Sequence, residues 1–401
     1  MKKAMVYIQS GGPTAVINTS FYGAVIEAKK HQNEISAIYG SRHGIEGLLY
    51  DDLIDINKES DEDIELLKQT PGAVLGTTRF KLPKDIHDPL YTKIIENIKK
   101  HNIGYVFVNG GNDSMDTCYK LSLLCKELNI DCKVMGVPKT VDNDLALTDH
   151  SLGFPSAAKH VINMTKEVCI DAKGYKKGKV FIIEIMGRNA GWLTASVDLL
   201  PEQTRPDLIY LPENPFDLDD FLKRVKETYD KKGHIIVAIS EGISFPRTGK
   251  SARVDGFGHA QLGGAAADLA AIVEEKLDLP TRATELSLPQ RADSLLVSKV
   301  DQDEAIMCGR TAVLEALSGN TGKMICIKRV SNEPYQVRYV AEDISKIANE
   351  ESKVPASYMC DLTHMSEAFR TYLRPLIKGE TKVTFEDGIF KTANFKKVKV
   401  Q

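Results

Sequence analysis

The sequence has no surplus of basic charge: 52 Lys and Arg stand against 55 Asp and Glu, a formal net charge of −3. Nucleic-acid and membrane-surface binders present a basic face, so neither kind of partner is expected. No apolar run approaches the ~18–20 residues that cross a bilayer. Met1-Lys2-Lys3 leads directly into a strand-like segment, without the apolar core of a secretory leader. The seven cysteines (Cys118, Cys125, Cys132, Cys169, Cys308, Cys326 and Cys360) include no C-x-x-C pair. That points to reduced thiols in a cytoplasmic protein. Cys118, Cys125 and Cys132 recur every seventh residue, but only the first two lie in a helical pattern, where they read as core. Also missing are a Walker A motif, a G-x-G-x-x-G after the first strand, any short-period repeat, any low-complexity tract and any evident linker.

What is present is an ordinary globular composition, 42% hydrophobic and 27% charged, over 401 residues. That length predicts two domains with sizeable cores. Apolar, β-prone runs occur at Met5–Ile8, Tyr105–Val108, Lys133–Val137, Lys179–Ile185 and Ile235–Ile239. Being apolar on both faces, they suit a buried parallel sheet. Helical patterns at Val16–Lys30 and Pro155–Ala172 lie between them, the second with Ser156 as an expected cap. Each strand runs into a polar or glycine-rich loop: Ser10-Gly11-Gly12, Gly110-Gly111-Asn112-Asp113-Ser114, the Asp142/Asp144 loop, Met186-Gly187-Arg188 and Ser240-Glu241-Gly242. The carboxyl edge of an open α/β sheet is where ligands bind. A strand at Met324–Arg329 and a helix near Ser366–Leu376 follow, and residues 381–401 read as a β-rich, basic extension.

The most informative loop is Pro138-Lys139-Thr140-Val141-Asp142-Asn143-Asp144. Packing never requires two carboxylates, an amide, a hydroxyl and a lysine at a strand's end, whereas a ligand does. One carboxylate can accept a proton from an attacking hydroxyl while the other places a divalent metal or orients its partner. Phosphoryl transfer also demands cations around the moving group, and Lys139, Arg79 and Arg188 are candidates. Gly11-Gly12 and Gly110-Gly111 serve equally as phosphate-approaching turns or as plain tight turns. For Arg79, Arg282 and Arg291, a solvated or surface-paired arginine explains each residue as well as a ligand does.

From Ser10 to about Ala316, the order and approximate spacing of these motifs resemble those of the phosphofructokinases. The resemblance rests on Tyr39-Gly40 with Gly44 and Gly47, Gly76–Arg79, Gly110–Ser114, the 138–144 loop, Met186–Trp192, Ser240-Glu241-Gly242 and Arg282 through Arg291. It implies an α/β phosphofructokinase fold of two Rossmann-like, three-layer α/β/α domains with largely parallel sheets. Residues 1–153 plus about 289–325 would form the larger, donor-binding domain. Residues about 154–288 plus 326–401 would form the smaller, sugar-phosphate-binding domain with its C-terminal extension. Asp142 would be the general base for the sugar 1-hydroxyl, supported by Thr140 and Asp144, with Asp144 beside Mg²⁺. Met186, Gly187 and Glu241 would meet the fructose, Arg282 and Arg291 its 6-phosphate, and Arg188 the transferred phosphoryl group. Lys179 replaces a phosphate-binding arginine and loses its bidentate fork. Lys179 and Arg282 would serve a neighbouring subunit's site in a homodimer or homotetramer.

By the same resemblance, Asp113 and Lys139 stand where ATP-using members carry glycine. Asp113 would crowd and repel a nucleotide, and Lys139 would neutralise pyrophosphate. The implied substrates are therefore pyrophosphate and fructose 6-phosphate. An ATP-dependent kinase on the same scaffold and a non-catalytic sugar-phosphate-binding paralogue remain the alternatives. Asn112 takes the place of a metal-linked aspartate, leaving the metal to Asp113 and Asp144 with Asn112 as a neutral ligand. Leu288 removes a polar contact to the sugar phosphate, which bears on selectivity between fructose 6-phosphate and sedoheptulose 7-phosphate. Tyr22 and Ile26 occupy positions where regulated members have effector-binding arginines, so titration with ADP or phosphoenolpyruvate should leave the rate unchanged. A several-fold activation would contradict that reading.

Overall fold

The two-sided apolar runs become the middle of two sheets in the computed structural model, which describes residues 2–246 and 263–401. In chain order the strands of these two sheets are β1 (Lys3–Gln9), β2 (Ile35–Ser41), β3 (Leu53–Asp55), β4 (Ile103–Gly110), β5 (Lys133–Pro138), β6 (Val180–Ile185), β7 (Leu208–Tyr210), β8 (Ile235–Ser240), β9 (Thr281–Glu285), β10 (Lys323–Asn332) and β11 (Tyr335–Asp343). The first sheet has the order β11-β10-β5-β4-β1-β2-β3 and the second β7-β8-β6-β9. All neighbours are parallel except β10/β11 and β2/β3 at the two edges of the first sheet.

Alternation along each strand feeds two cores per sheet. In β1, Met5 and Tyr7 point to one face, while Ala4, Val6 and Ile8 point to the other. In β6, Phe181, Ile183 and Ile185 oppose Val180 and Ile182 in the same way. Both faces are covered, which is why these strands carry almost no polar residues. Helix Phe154–Lys173 follows the expected span, but Ser156 does not cap it. Pro155 already occupies the first turn, and the N–H groups of Gly153 and Ser156 donate instead to the Asp301 carboxylate, at 3.0 and 3.1 Å. Six of the seven cysteines are buried and all are free thiols.

The segment after residue 325 departs from the expected division. Strands β10 and β11 extend the first sheet beyond residue 325, because β10 pairs in parallel with β5 and its side chains reach both faces, Ile325 and Ile327 on one and Met324 and Cys326 on the other. The final residues also lie on this domain: Val400 N–H donates to Leu53 O at 2.9 Å, Asp55 N–H donates to Val398 O at 2.9 Å, and Phe395 joins the core. The stretch from Val354 through helix Glu367–Leu373, with Phe369, Tyr372 and Leu373, packs on the second sheet, and Tyr335 of β11 packs against that core as well. An apolar run announces a strand but not the sheet it joins.

Helix Lys299–Leu317 brings the chain back to the first sheet by crossing helix Ile17–Ala28 at backbone contact. A Cβ at Gly309 would lie 2.0 Å from Ser20 O, and one at Gly23 would lie 2.2 Å from Ile306 O. Helix propensity alone favours Gly309→Ala by about 1 kcal/mol, but overpacking against a backbone carbonyl costs roughly 1–3 kcal/mol or more. Gly309→Ala should therefore lower the thermal unfolding midpoint. A raised midpoint would show that the two helices part without cost.

Candidate active site

The carboxyl ends of β1, β4, β5, β6 and β8 converge on one cavity of about 660 Å³ between the two sheets. It draws Gly11 and Gly12 from β1, Gly111–Ser114 from β4, Lys139–Asp142 and Asp144 from β5, Met186 and Arg188 from β6 and Glu241 from β8. Arg79 and Arg291 complete it. Helix Asn112–Glu127 starts at this wall, so its exposed N–H groups and dipole favour an anion there.

Positive charge is concentrated around the Gly11-Gly12 turn. Lys139 is buried and its Nζ donates to Gly12 O at 2.7 Å. A Cβ on Gly12 would lie 2.7 Å from Arg291 Nη1 and 3.9 Å from Arg79 Nη2, so the Arg291 guanidinium packs against the Gly12 backbone and would have to shift for a larger residue, with Arg79 close by. Burial, reinforced by the Arg291 charge, pulls the Lys139 ammonium down to about 8, against the partial support of Asp142 and Asp144. Burial and the neighbouring Arg79 depress Arg291 as well. Cations that destabilise one another in this way are relieved by a bound anion.

The acids line the same cavity. Burial raises Asp142, with Arg188, Lys139 and Arg291 opposing the rise. Its N–H donates to Thr140 Oγ1 at 3.1 Å, which fixes the loop. Burial and then the charge of Asp142 push Asp144 up to about 7, and burial does the same to Glu241. Gly187 stands just behind the wall, donating its N–H to Glu241 Oε1 at 3.3 Å. Among the described residues no cluster of three His, Cys, Asp or Glu side chains suits a metal ion. Asp144 Oδ1 and Asn112 Oδ1 are nevertheless buried acceptors without a hydrogen-bond partner, and Asn112 Nδ2 lies 3.4 Å from Asp144 Oδ2. This donor set fits a hard cation that takes one or two protein oxygens and completes its shell with phosphate oxygens and water.

Thirteen of the predicted site residues thus line one cavity: Gly11, Gly12, Arg79, Asn112, Asp113, Lys139, Thr140, Asp142, Asp144, Met186, Arg188, Glu241 and Arg291. Lys179 and Arg282 do not join it. Lys179 is exposed just before β6, roughly 20 Å of strand away from Met186. Arg282 is exposed on the edge strand β9, paired with Phe181. Leu288 is also exposed, at 57%, with its side chain outside the cavity wall. Sequence reasoning missed Lys81, Asn189, Asn349 and Glu351, which also line the cavity. Lys81 Nζ pairs with Asp113 Oδ1 at 3.0 Å. Asn189 Nδ2 donates to Glu351 Oε1 at 2.9 Å. Glu351 arrives because it bridges to Leu145 and Ser352 N–H donates to Asp144 O, pairings of distant segments that carry no local signal.

Comparison with known proteins agrees with this architecture. The family model described as phosphofructokinase matches residues 4–314. The chain is 40% identical over 405 residues to the pyrophosphate–fructose 6-phosphate 1-phosphotransferase of Halomonas elongata, covering 98% of this chain and 96% of that protein. It is 40% identical to the Xanthomonas campestris protein of the same name, covering 99% and 97%. The crystal structure of the pyrophosphate-dependent phosphofructokinase from Marinobacter aquaeolei superposes with a TM-score of 0.91 at 37% identity, covering 100% of this chain and 98% of that one. The chain belongs to the phosphofructokinase family.

The lowered Lys139 carries a pH consequence. Its charge is complete below about 8 and is lost as pH rises through that value. The kcat/KM for an anionic donor, which reports the free enzyme, should fall above about pH 8. Lys139→Arg should move that limb upward, since a guanidinium does not titrate in this range. An unmoved limb would assign it to another group.

Proposed function

We propose that this chain catalyses the reversible transfer of a phosphoryl group from pyrophosphate to the 1-hydroxyl of fructose 6-phosphate, forming fructose 1,6-bisphosphate and phosphate. The observation that carries the reading is the meeting of an anion-seeking cation set, Lys139, Arg79 and Arg291, with the Asp142 carboxylate in one cavity. The names of its full-length relatives support pyrophosphate as donor. The Lys81–Asp113 pair supports it too, because a carboxylate held beside the helix start repels a nucleotide's inner phosphate.

Asp142 accepts the proton of the 1-hydroxyl as that oxygen bonds to phosphorus and the P–O–P bridge breaks toward phosphate. Position matters more than basicity for such a base, and the raised Asp142 has both. Arg188 and Lys139 offset charge on the moving phosphoryl group and on the leaving phosphate. Met186 and Glu241 bind the fructose, and Arg291 grips its 6-phosphate. Mg²⁺ would be held by Asp144 with Asn112, Asp113 being engaged by Lys81, and when bound it neutralises phosphate oxygens. The exposed Lys179 and Arg282 are assigned to a second subunit's site, which makes the working enzyme at least a homodimer. Its free cysteines suit the reducing cytoplasm.

Replacing Asp142 by Asn keeps shape and removes the base. Formation of fructose 1,6-bisphosphate from fructose 6-phosphate, pyrophosphate and Mg²⁺ should fall by roughly 10²–10⁴-fold in kcat, with the KM for fructose 6-phosphate little changed. Full activity in the variant would remove Asp142 from the role of base.

A further inference from the structure

Beneath the Lys139–Asp144 loop lies a buried ion and hydrogen-bond cluster that the reaction itself does not use. His150 is fully enclosed, its Nδ1 2.8 Å from Asp149 Oδ2 and its Nε2 2.6 Å from Glu304 Oε2. With a carboxylate on each ring nitrogen, both nitrogens donate and the ring is an imidazolium. Burial opposes that charge, but Glu304 and Asp149 outweigh it and raise the group to about 10. Glu304 Oε1 accepts from the Tyr335 hydroxyl at 2.7 Å. Arg329 donates to Asp149 Oδ2 at 2.8 Å and to Tyr372 O at 2.8 Å. Its guanidinium sits 5.2 Å from the Tyr335 ring centre and 4.7 Å from that of Tyr372. Charges buried this deeply hold one geometry or cost heavily.

The cluster reaches the catalytic loop through one side chain. The Tyr372 hydroxyl donates to Asp149 O at 3.0 Å and accepts from Asn143 Nδ2 at 3.0 Å. Asn143 Oδ1 in turn accepts from Ser151 N–H at 2.8 Å. Asn143 is 3% exposed and adopts φ 56, a left-handed turn that asparagine tolerates. Its neighbours on either side are Asp142 and Asp144, both on the cavity wall. Glu304, Arg329 and Tyr335 belong to elements of the first sheet's domain, and Tyr372 to the core of the second.

We propose that Asn143 and Tyr372 are positioning residues: their shared hydrogen bond locks the turn that aims Asp142 and Asp144, and anchors it to the ion cluster that joins the two domains. This rests on the role given to Asp142 above. Loss of the bond lets the turn relax, and a displacement of about 1 Å at a reacting group can cost on the order of 100-fold in rate.

Tyr372→Phe removes one oxygen and keeps the ring stacked on Arg329, while Asn143→Gly keeps the positive φ and removes the amide. Both are assayed in the full chain with fructose 6-phosphate, pyrophosphate and Mg²⁺, at a temperature where circular dichroism shows each variant folded. Each should lose roughly 10- to 100-fold in kcat with both KM values within about two-fold. The double variant should be no slower than the worse single one, because both break the same bond. Tyr358→Phe, whose ring lies 5.6 Å from Tyr372 in the same aromatic cluster, should retain full kcat. Wild-type kcat in Tyr372→Phe, or losses that multiply in the double variant, would overturn the proposal. Tyr372→Phe keeps the test decisive if Asn143→Gly does not fold. An inactive Asp142→Asn beside a fully active Tyr372→Phe would sink this inference alone. A fully active Asp142→Asn would instead sink the reading beneath it.

Discussion

Lys139 carries a positive charge into the protein at the carboxyl end of β5, where its Nζ has the Gly12 carbonyl at 2.7 Å and Arg291 as its strongest cationic neighbour. A buried ammonium with one carbonyl acceptor is poorly compensated, and two guanidinium groups crowding the same glycine turn make it worse. A bound anion relieves such an arrangement. Asp142 and Asp144, in the same loop, lend partial support, while burial raises their own proton affinity against the pull of Lys139 on Asp142, which suits a carboxylate base. Lys139, Arg291, Asp142 and Asp144 therefore form one electrostatically coupled group whose shifts start from burial.

The scaffold makes that coupling affordable. Parallel strands end together, so β1, β4 and β5 of one sheet and β6 and β8 of the other present their loops to a shared space. The loop carrying Lys139, Asp142 and Asp144 sits where the chain leaves the first domain for the second. It is tied on one side to β4 through Lys139 N–H and Gly110 O, and on the other to Tyr372 through Asn143. Helix Lys299–Leu317 then returns to hold both Gly153 and Ser156 through Asp301 and His150 through Glu304. The 139–144 turn is thus held by polar contacts spread over three distant segments, each legible only once the chain is folded.

The central strands and their loops could be read from residues alone because strands buried on both faces are uniformly apolar and their ends abruptly are not. The same logic failed where burial is one-sided or absent. Strand β9, Thr281–Glu285, is polar and mostly exposed, and it is a strand only because it pairs with β6. The Met324–Arg329 run was recognisable as a strand, yet its sheet depends on where helix Lys299–Leu317 delivers it. Glu351 and Asn349 enter the cavity through a bridge to Leu145 and a bond to Asp144 O, which no spacing encodes. The tail is held by backbone bonds to Leu53 and Asp55, so its side-chain pattern says little about its place.

The most direct test is to measure kcat/KM for pyrophosphate and for ATP, each with fructose 6-phosphate and Mg²⁺, in the wild-type enzyme and in the Asp113→Gly, Lys139→Gly double variant. Truncating one member of a buried charge pair costs about 2–5 kcal/mol, roughly 30-fold or more. The double variant should lose at least that factor with pyrophosphate, while its ATP-to-pyrophosphate ratio rises above that of the wild type. Equal use of ATP by the wild type, or an unaltered pyrophosphate rate in the double variant, would contradict the claim that the buried Lys139 charge selects the donor.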